Sequence, residues 1–194
     1  THEPLGTSFF DFPFVCAATT LFGDKGVTLS IDHPDYANLT PRQTVQVLAV
    51  LVSHSFWTVV AMLLLYATLL SLDVARGRAV AATLLVFFSS SLTWYGPSGL
   101  SHAVSTFTTA LVLFTFVRLV LGTRKHPEHA FLPGWVLLGA FVGLAAVVRY
   151  ANALMVCAVG VYLLFEHQTW TRRLARGGAF AVGTIDQVGT PSRS

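Results

Sequence analysis

The chain has 194 residues, 54% of them hydrophobic and 11% charged, and a formal net charge of +3. Soluble domains carry about a quarter charged residues. With a mean hydropathy of +0.65 the chain lacks the polar surface to cover a globule, and a bilayer must be its solvent. Its basic residues sit in short loops, a pattern that orients spans and argues against nucleic-acid binding.

Residues 1–23 are mixed. The apolar run 12–22 is too short to span at about 1.5 Å per residue, and it reads as a short interfacial, re-entrant or partial helix. Residues 23–41 hold Asp24, Asp32, Asp35 and two prolines, a loop outside the membrane. Residues 45–72 form the first clear span, with Ser53-His54-Ser55 inside it. It exceeds the roughly 20 residues needed, so it tilts or extends past the bilayer. A tight loop with Arg76 and Arg78 leads to a second span over 79–94.

The stretch Trp94-Tyr95-Gly96-Pro97-Ser98-Gly99-Leu100-Ser101-His102 then punctuates the chain. Gly96-Pro97 and Ser98-Gly99 are turn dipeptides, and Ser101 is placed to cap the next helix, 103–121. The free N–H groups and positive dipole end of that helix, beside Ser101, His102 and Ser105, suit an anion such as a phosphate. The same stretch also reads as a capped hairpin with a Trp-Tyr interfacial anchor. Arg118, near the end of this third span, can snorkel.

After a loop with Arg124 and Lys125, two apolar stretches, 135–148 and 151–165, flank Arg149-Tyr150. One continuous helix over 133–165 would be about 50 Å long against a core of about 30 Å. It would also put Arg149 near the bilayer centre at a cost of several kcal/mol. Two short helices instead leave Arg76/Arg78, Arg124/Lys125 and Arg172/Arg173/Arg176 on one face, the cytoplasmic one by the positive-inside rule. Arg149, the hairpin and the acidic loop then lie on the outer face.

The expected fold is therefore all-α, a polytopic transmembrane helix bundle of about five spans plus a short interfacial N-terminal helix, in the inner (plasma) membrane. Residues 178–185 read as the start of a further span that breaks into a polar tail. This gives a partial transmembrane domain over 1–185 and a disordered or aberrant tail over 186–194. With no initiating Met or signal peptide at Thr1, the pattern is that of a truncated or frame-shifted fragment.

The outer face gathers His2, Glu3 and Asp11 from the N-terminal segment, Tyr95, Ser101 and His102 from the hairpin, and Arg149, Tyr150 and Asn152 from the last helix pair. A cation flanked by polar groups at the mouth of a bundle suits a phosphate head group. Arg149 also reads as a snorkelling interfacial arginine, and Asp11 as a base or a solvated interfacial carboxylate. His54 reads as an interhelical hydrogen-bonder. Cys16 and Cys157 lack CxxC partners, so no disulfide or metal framework is implied. No Walker loop, HExxH or GxSxG motif is present. His126-Pro127-Glu128-His129 carries metal-ligand residue types but sits in a predicted cytoplasmic loop. No cofactor is called for; a divalent metal is compatible with the sequence but not indicated by it.

Three pieces, in order, resemble the bacterial GT-C membrane glycosyltransferases, relatives of protein mannosyltransferases and aminoarabinose transferases. Pro4-Leu5-Gly6-Thr7-Ser8-Phe9-Phe10-Asp11-Phe12-Pro13-Phe14 is similar to the "YPxGxxLLxxPF" stretch that follows their first outer loop. Leu92-Thr93-Trp94-Tyr95 through Ser101-His102-Ala103-Val104-Ser105 resembles the hairpin "PLxYY…xxSHAxSxF". The run from Gly139 through Gly143-Leu144-Ala145 to Arg149-Tyr150-Ala151-Asn152 resembles the break "GxxxGLAxLxRPTN" between two short helices. Glu3 stands where the family has an aromatic, and Tyr150 where it has Pro.

The resemblance implies inverting transfer of a sugar from a polyprenyl-phosphate donor to an acceptor at the outer face. It implies substrate-binding roles for Arg149, His102, Ser101, Tyr95 and Asn152, and membrane lipid as a partner. It places the catalytic carboxylate in a loop upstream of Thr1, so that the fragment alone would be inactive. The competing reading is a non-enzymatic membrane protein, a transporter or assembly subunit. A transporter would need a polar path across the bilayer, whereas the polar residues here concentrate at one face, with His54 the main exception.

Overall fold

The computed structural model describes residues 5–22, 40–89, 102–125, 132–165 and 170–188, and the elements among them are all helical. They are α1 (Leu5–Phe22), α2 (Pro41–Ser71), α3 (Arg76–Ser89), α4 (His102–Lys125), α5 (Leu132–Val148), a 3₁₀ turn (Tyr150–Ala153), α6 (Leu154–Phe165) and α7 (Trp170–Val188). Tyr95, Ser101, His2, Glu3, the acidic loop, the His126–His129 segment and residues 189–194 lie outside the described residues. Helix α2 and the His102–Thr123 part of α4 are long and apolar enough to cross a membrane, while α5 and the Tyr150–Phe165 stretch are apolar but shorter. The expected membrane helix bundle thus contains two full-length candidate spans among the described residues.

Local chemistry fixes both ends of α2. Thr40 and Gln43 form a capping box: the Thr40 hydroxyl accepts from the Gln43 N–H at 3.4 Å, and Gln43 Oε1 accepts from the Thr40 N–H at 2.8 Å. Pro41 then sits in the first turn, where its missing N–H costs nothing. At the other end the Asp73 N–H donates to Leu70 O and the Val74 N–H to Leu69 O, both at 3.1 Å. This is a Schellman pattern, and Asp73 takes the left-handed position with φ 59°. Inside the helices threonine hydroxyls donate back one turn, as Thr58 does to His54 O and Thr83 to Ala79 O at 2.8 Å. This satisfies them where no water is at hand.

Two apolar clusters hold the bundle. One joins Phe10 of α1, Ala61 of α2, Val104 and Phe107 of α4 and Val148 of α5. Trp57 is packed into it, 5.2 Å from the Phe10 ring centroid and 4.5 Å from that of Phe107. The other gathers Trp135, Leu138 and Val142 of α5 with Leu119 of α4, Val159 and Leu163 of α6 and Phe180 of α7. Many outward residues are large and apolar, Val52, Val59 and Leu63 among them, which suits helices solvated by lipid.

Helix α1 begins at Leu5, seven residues before the apolar run 12–22. It carries Pro13 within it and packs along α2, with Phe14 against Phe56 at 5.5 Å. Asp11, for which a solvated carboxylate was one expectation, is buried. The reason is this packing, which turns its side chain towards α2.

The expected break at Arg149 is present. Helix α5 ends at Val148, Arg149 is extended (φ −153°, ψ 118°), and a 3₁₀ turn follows. Arg149 contacts His102 at the start of α4, while the Tyr162 ring meets Phe116, 4.9 Å between centroids, four turns further along α4. The chain therefore reverses at Arg149, and α6 runs back alongside α4.

Helix α7 runs parallel to α5 in close contact. Arg176 lies over the Trp135 ring, 5.7 Å from its centroid, and Phe180 and Gly183 follow against Gly139 and Ala140. A Cβ on Gly139 would strike the Phe180 carbonyl oxygen, and one on Gly183 would strike that of Val136. Small residues allow this approach, which dispersion then stabilises in lipid. Arg176, read from sequence as part of a basic segment on the cytoplasmic face, is fully buried. The glycine contact draws α7 onto α5, and the face of Trp135 receives the cation.

Candidate functional site

The site grows out of the break between α5 and α6. The Arg149 N–H still donates to Ala145 O at 3.0 Å, and the Asn152 N–H donates to Arg149 O at 2.8 Å, which closes the 3₁₀ turn. A straight helix would continue this ladder. Extension at Arg149 ends it, and the Asn152 amide turns back onto the last turn of α5: Nδ2 donates to Ala145 O at 3.0 Å, alongside the Arg149 N–H. The same Nδ2 donates to Ser105 Oγ at 3.1 Å, which ties the turn to the first turn of α4. Ser105 is buried, so this bond satisfies groups removed from water.

Arg149 Nη1 lies 3.0 Å from His102 Nδ1. A guanidinium has no acceptor, so arginine donates and His102 accepts on Nδ1. Arg149 and Tyr150 are exposed, Tyr150 to 89%. The result is a guanidinium held from one side at an open edge, next to the N-terminal end of a 24-residue helix whose dipole also favours an anion.

Of the five residues proposed from sequence, the structure brings together Arg149, His102 and Asn152, while Tyr95 and Ser101 lie outside the described residues. Ser105 joins them through Asn152. Its place on the first turn of the helix was legible, but its partner was not, because the two residues are 47 positions apart.

Asp11 and His54 form a second polar pair. His54 Nε2 lies 3.4 Å from Asp11 Oδ2, and both residues are buried. Among the described residues Asp11 Oδ1 and both ring nitrogens of His54 make no hydrogen bond. His54, expected to hydrogen-bond across helices, instead meets α1 through this carboxylate contact and makes no hydrogen bond there. Burial removes Asp11 from any aqueous acceptor. No group of three or more metal-ligating side chains occurs among the described residues.

No curated protein and no solved structure matches the chain significantly. The family model described as dolichyl-phosphate-mannose-protein mannosyltransferase matches residues 43–186. That segment runs from the start of α2 almost to the end of α7 and contains every residue of the Arg149 cluster, and the chain belongs to the dolichyl-phosphate-mannose-protein mannosyltransferase family of GT-C membrane glycosyltransferases.

Proposed function

We propose that the chain is the donor-binding part of an enzyme that transfers a hexose from a polyprenyl-phosphate-linked donor to an acceptor at the outer face of the plasma membrane, and that Arg149 receives the leaving phosphate. The observation that carries this reading is the Arg149 guanidinium at a helix break, held on His102 and flanked by the Asn152–Ser105 bond. In the transfer the acceptor oxygen attacks the anomeric carbon opposite the phosphate, and configuration inverts. The bond between that carbon and the phosphate oxygen breaks, and its electron pair stays on the oxygen. The acceptor proton passes to a carboxylate base, which the resemblance places in an outer loop upstream of Thr1. Charge grows on the leaving phosphate, and a guanidinium already aimed at it stabilises the transition state more than the ground state.

His102 holds Arg149 in place, and Asn152 fixes the turn that presents it. Tyr95 and Ser101, which precede α4 in the sequence, complete the proposed donor-binding set. The lipid tail of the donor lies along the apolar bundle.

The test is transfer by membranes containing the full-length protein, with radiolabelled polyprenyl-phosphate mannose as donor. Arg149→Ala is expected to lower the rate by about 100-fold or more, the range for loss of one charge-stabilising donor, and Arg149→Lys to retain part of it. Unchanged transfer by Arg149→Ala, together with unchanged donor binding, would overturn the assignment.

A further inference from the structure

Helices α6 and α7 diverge and leave a groove between them of about 520 Å³, lined by no residue of the Arg149 cluster. The volume falls within the range of small-molecule pockets, about 300–1,000 Å³. Its walls are apolar: Val156, Gly160 and Leu163 on one side, Leu174, Ala181 and Ile185 on the other. One cation breaks this surface. Arg173 lines the groove at the N-terminal end of α7, over the Trp170 ring at 5.4 Å, with Nη1 donating to Leu164 O at 2.8 Å. Arg173 makes this end of the groove cationic, and the walls beyond it are apolar.

The length of the groove points to its occupant. From Arg173 to Ile185 helix α7 rises about 18 Å at 1.5 Å per residue. One leaflet of a hydrocarbon core is about 15 Å thick, half of about 30 Å. The cationic end adjoins Leu164 at the end of α6 and Trp170 at the start of α7, opposite the Arg149 turn. By the positive-inside rule it lies at the cytoplasmic leaflet, where anionic lipids concentrate. An indole at the mouth suits the headgroup level.

We infer that this groove is a binding site for one anionic phospholipid of the cytoplasmic leaflet, with the phosphate at Arg173 and an acyl chain along α6 and α7. The occupant is set by charge at one end and leaflet-length apolar walls over the rest. The site is separate from the proposed transfer site, and it stands or falls independently of it.

The glycines supply clean variants. A Cβ on Gly160, Gly177 or Gly178 meets nothing within 4 Å, and all three line the groove, so a larger side chain there has the groove to grow into. The experiment is native mass spectrometry of the full-length protein from mixed micelles containing equimolar phosphatidylglycerol and phosphatidylcholine. One phosphatidylglycerol per chain is expected to be retained, in preference to phosphatidylcholine by about fivefold to tenfold. Arg173→Ala should reduce that preference about fivefold, the scale of one basic residue near an anionic headgroup. Arg173→Lys should largely restore it, and Gly177→Leu should expel both lipids. Circular dichroism on each variant keeps a folding defect distinguishable from lost binding. Equal retention of the two lipids, full retention by folded Gly177→Leu, or a lipid-free dimer sealed across α6 and α7 would overturn the inference.

Discussion

Arg149 has five N–H donors and no acceptor, and His102 takes one of them. What fixes it is a neighbour three residues on. Asn152 uses one amide nitrogen for both Ala145 O and Ser105 Oγ. Asn152→Ala leaves a buried hydroxyl and a helix-end carbonyl without that donor, and is expected to cost about 1–3 kcal/mol. Thermal unfolding in detergent micelles measures it, and a shift no larger than for a surface alanine substitution would show that the bond is idle. The Asp11–His54 pair obeys the same asymmetry. Asp11→Leu or His54→Leu alone strands a buried polar partner, while the double substitution removes both. We expect each single variant to be less stable than the double one, and additive losses in that cycle would rule out coupling between them. Both residue types were visible in the sequence. Their partnership was not, because it depends on α1 packing beside α2.

Elements here owe their boundaries to local chemistry and their neighbours to small residues. Thr40→Ala removes half of the capping box and should destabilise α2 by about 1 kcal/mol. Asp73→Gly should act in the opposite sense by a similar amount, because glycine reaches φ 59° without the Cβ penalty. Chemical denaturation of the two variants should therefore move the midpoint in opposite directions. Helix α7 depends on contact instead. Gly139→Leu puts a side chain where the Phe180 carbonyl lies and is expected to separate α7 from α5. With the other tryptophans replaced by phenylalanine, Trp135 fluorescence should be shielded from a lipid-borne quencher in the parent and quenched in the Gly139→Leu variant. The spans of α2 and α4 and the break at Arg149 were legible as apolar length and as one misplaced charge. The burial of Arg176 was not, since an arginine triplet near a span end ordinarily marks solvent.

At the scale of the whole molecule, the reversal at Arg149 decides which groups share a face. Arg149 and the start of α4 come to one end, and the Arg173 turn of α7 to the other. With the native cysteines replaced by serine, Tyr150→Cys should react with a membrane-impermeant maleimide on intact cells, and Val74→Cys only after permeabilisation. The opposite pattern would invert the bundle and remove the proposed outer-face acceptor. Membership of the family fits this arrangement, because a sugar carried on a lipid must meet its acceptor at a membrane edge.

Composition alone put the chain in a bilayer, and the apolar periods with their turn residues marked most of the described helices. The mismatch between a 50 Å apolar run and a 30 Å core required a break at Arg149 before any contact was known. These are short-range properties, set by solvation and by a few adjacent dihedrals. Three features arose only from tertiary structure: Asn152 on Ser105, Asp11 on His54, and Arg176 on Trp135. Each joins residues 40 or more positions apart. In lipid the faces that meet are chosen by close packing and by satisfaction of polar groups, because apolar periodicity no longer distinguishes a buried face from a solvated one.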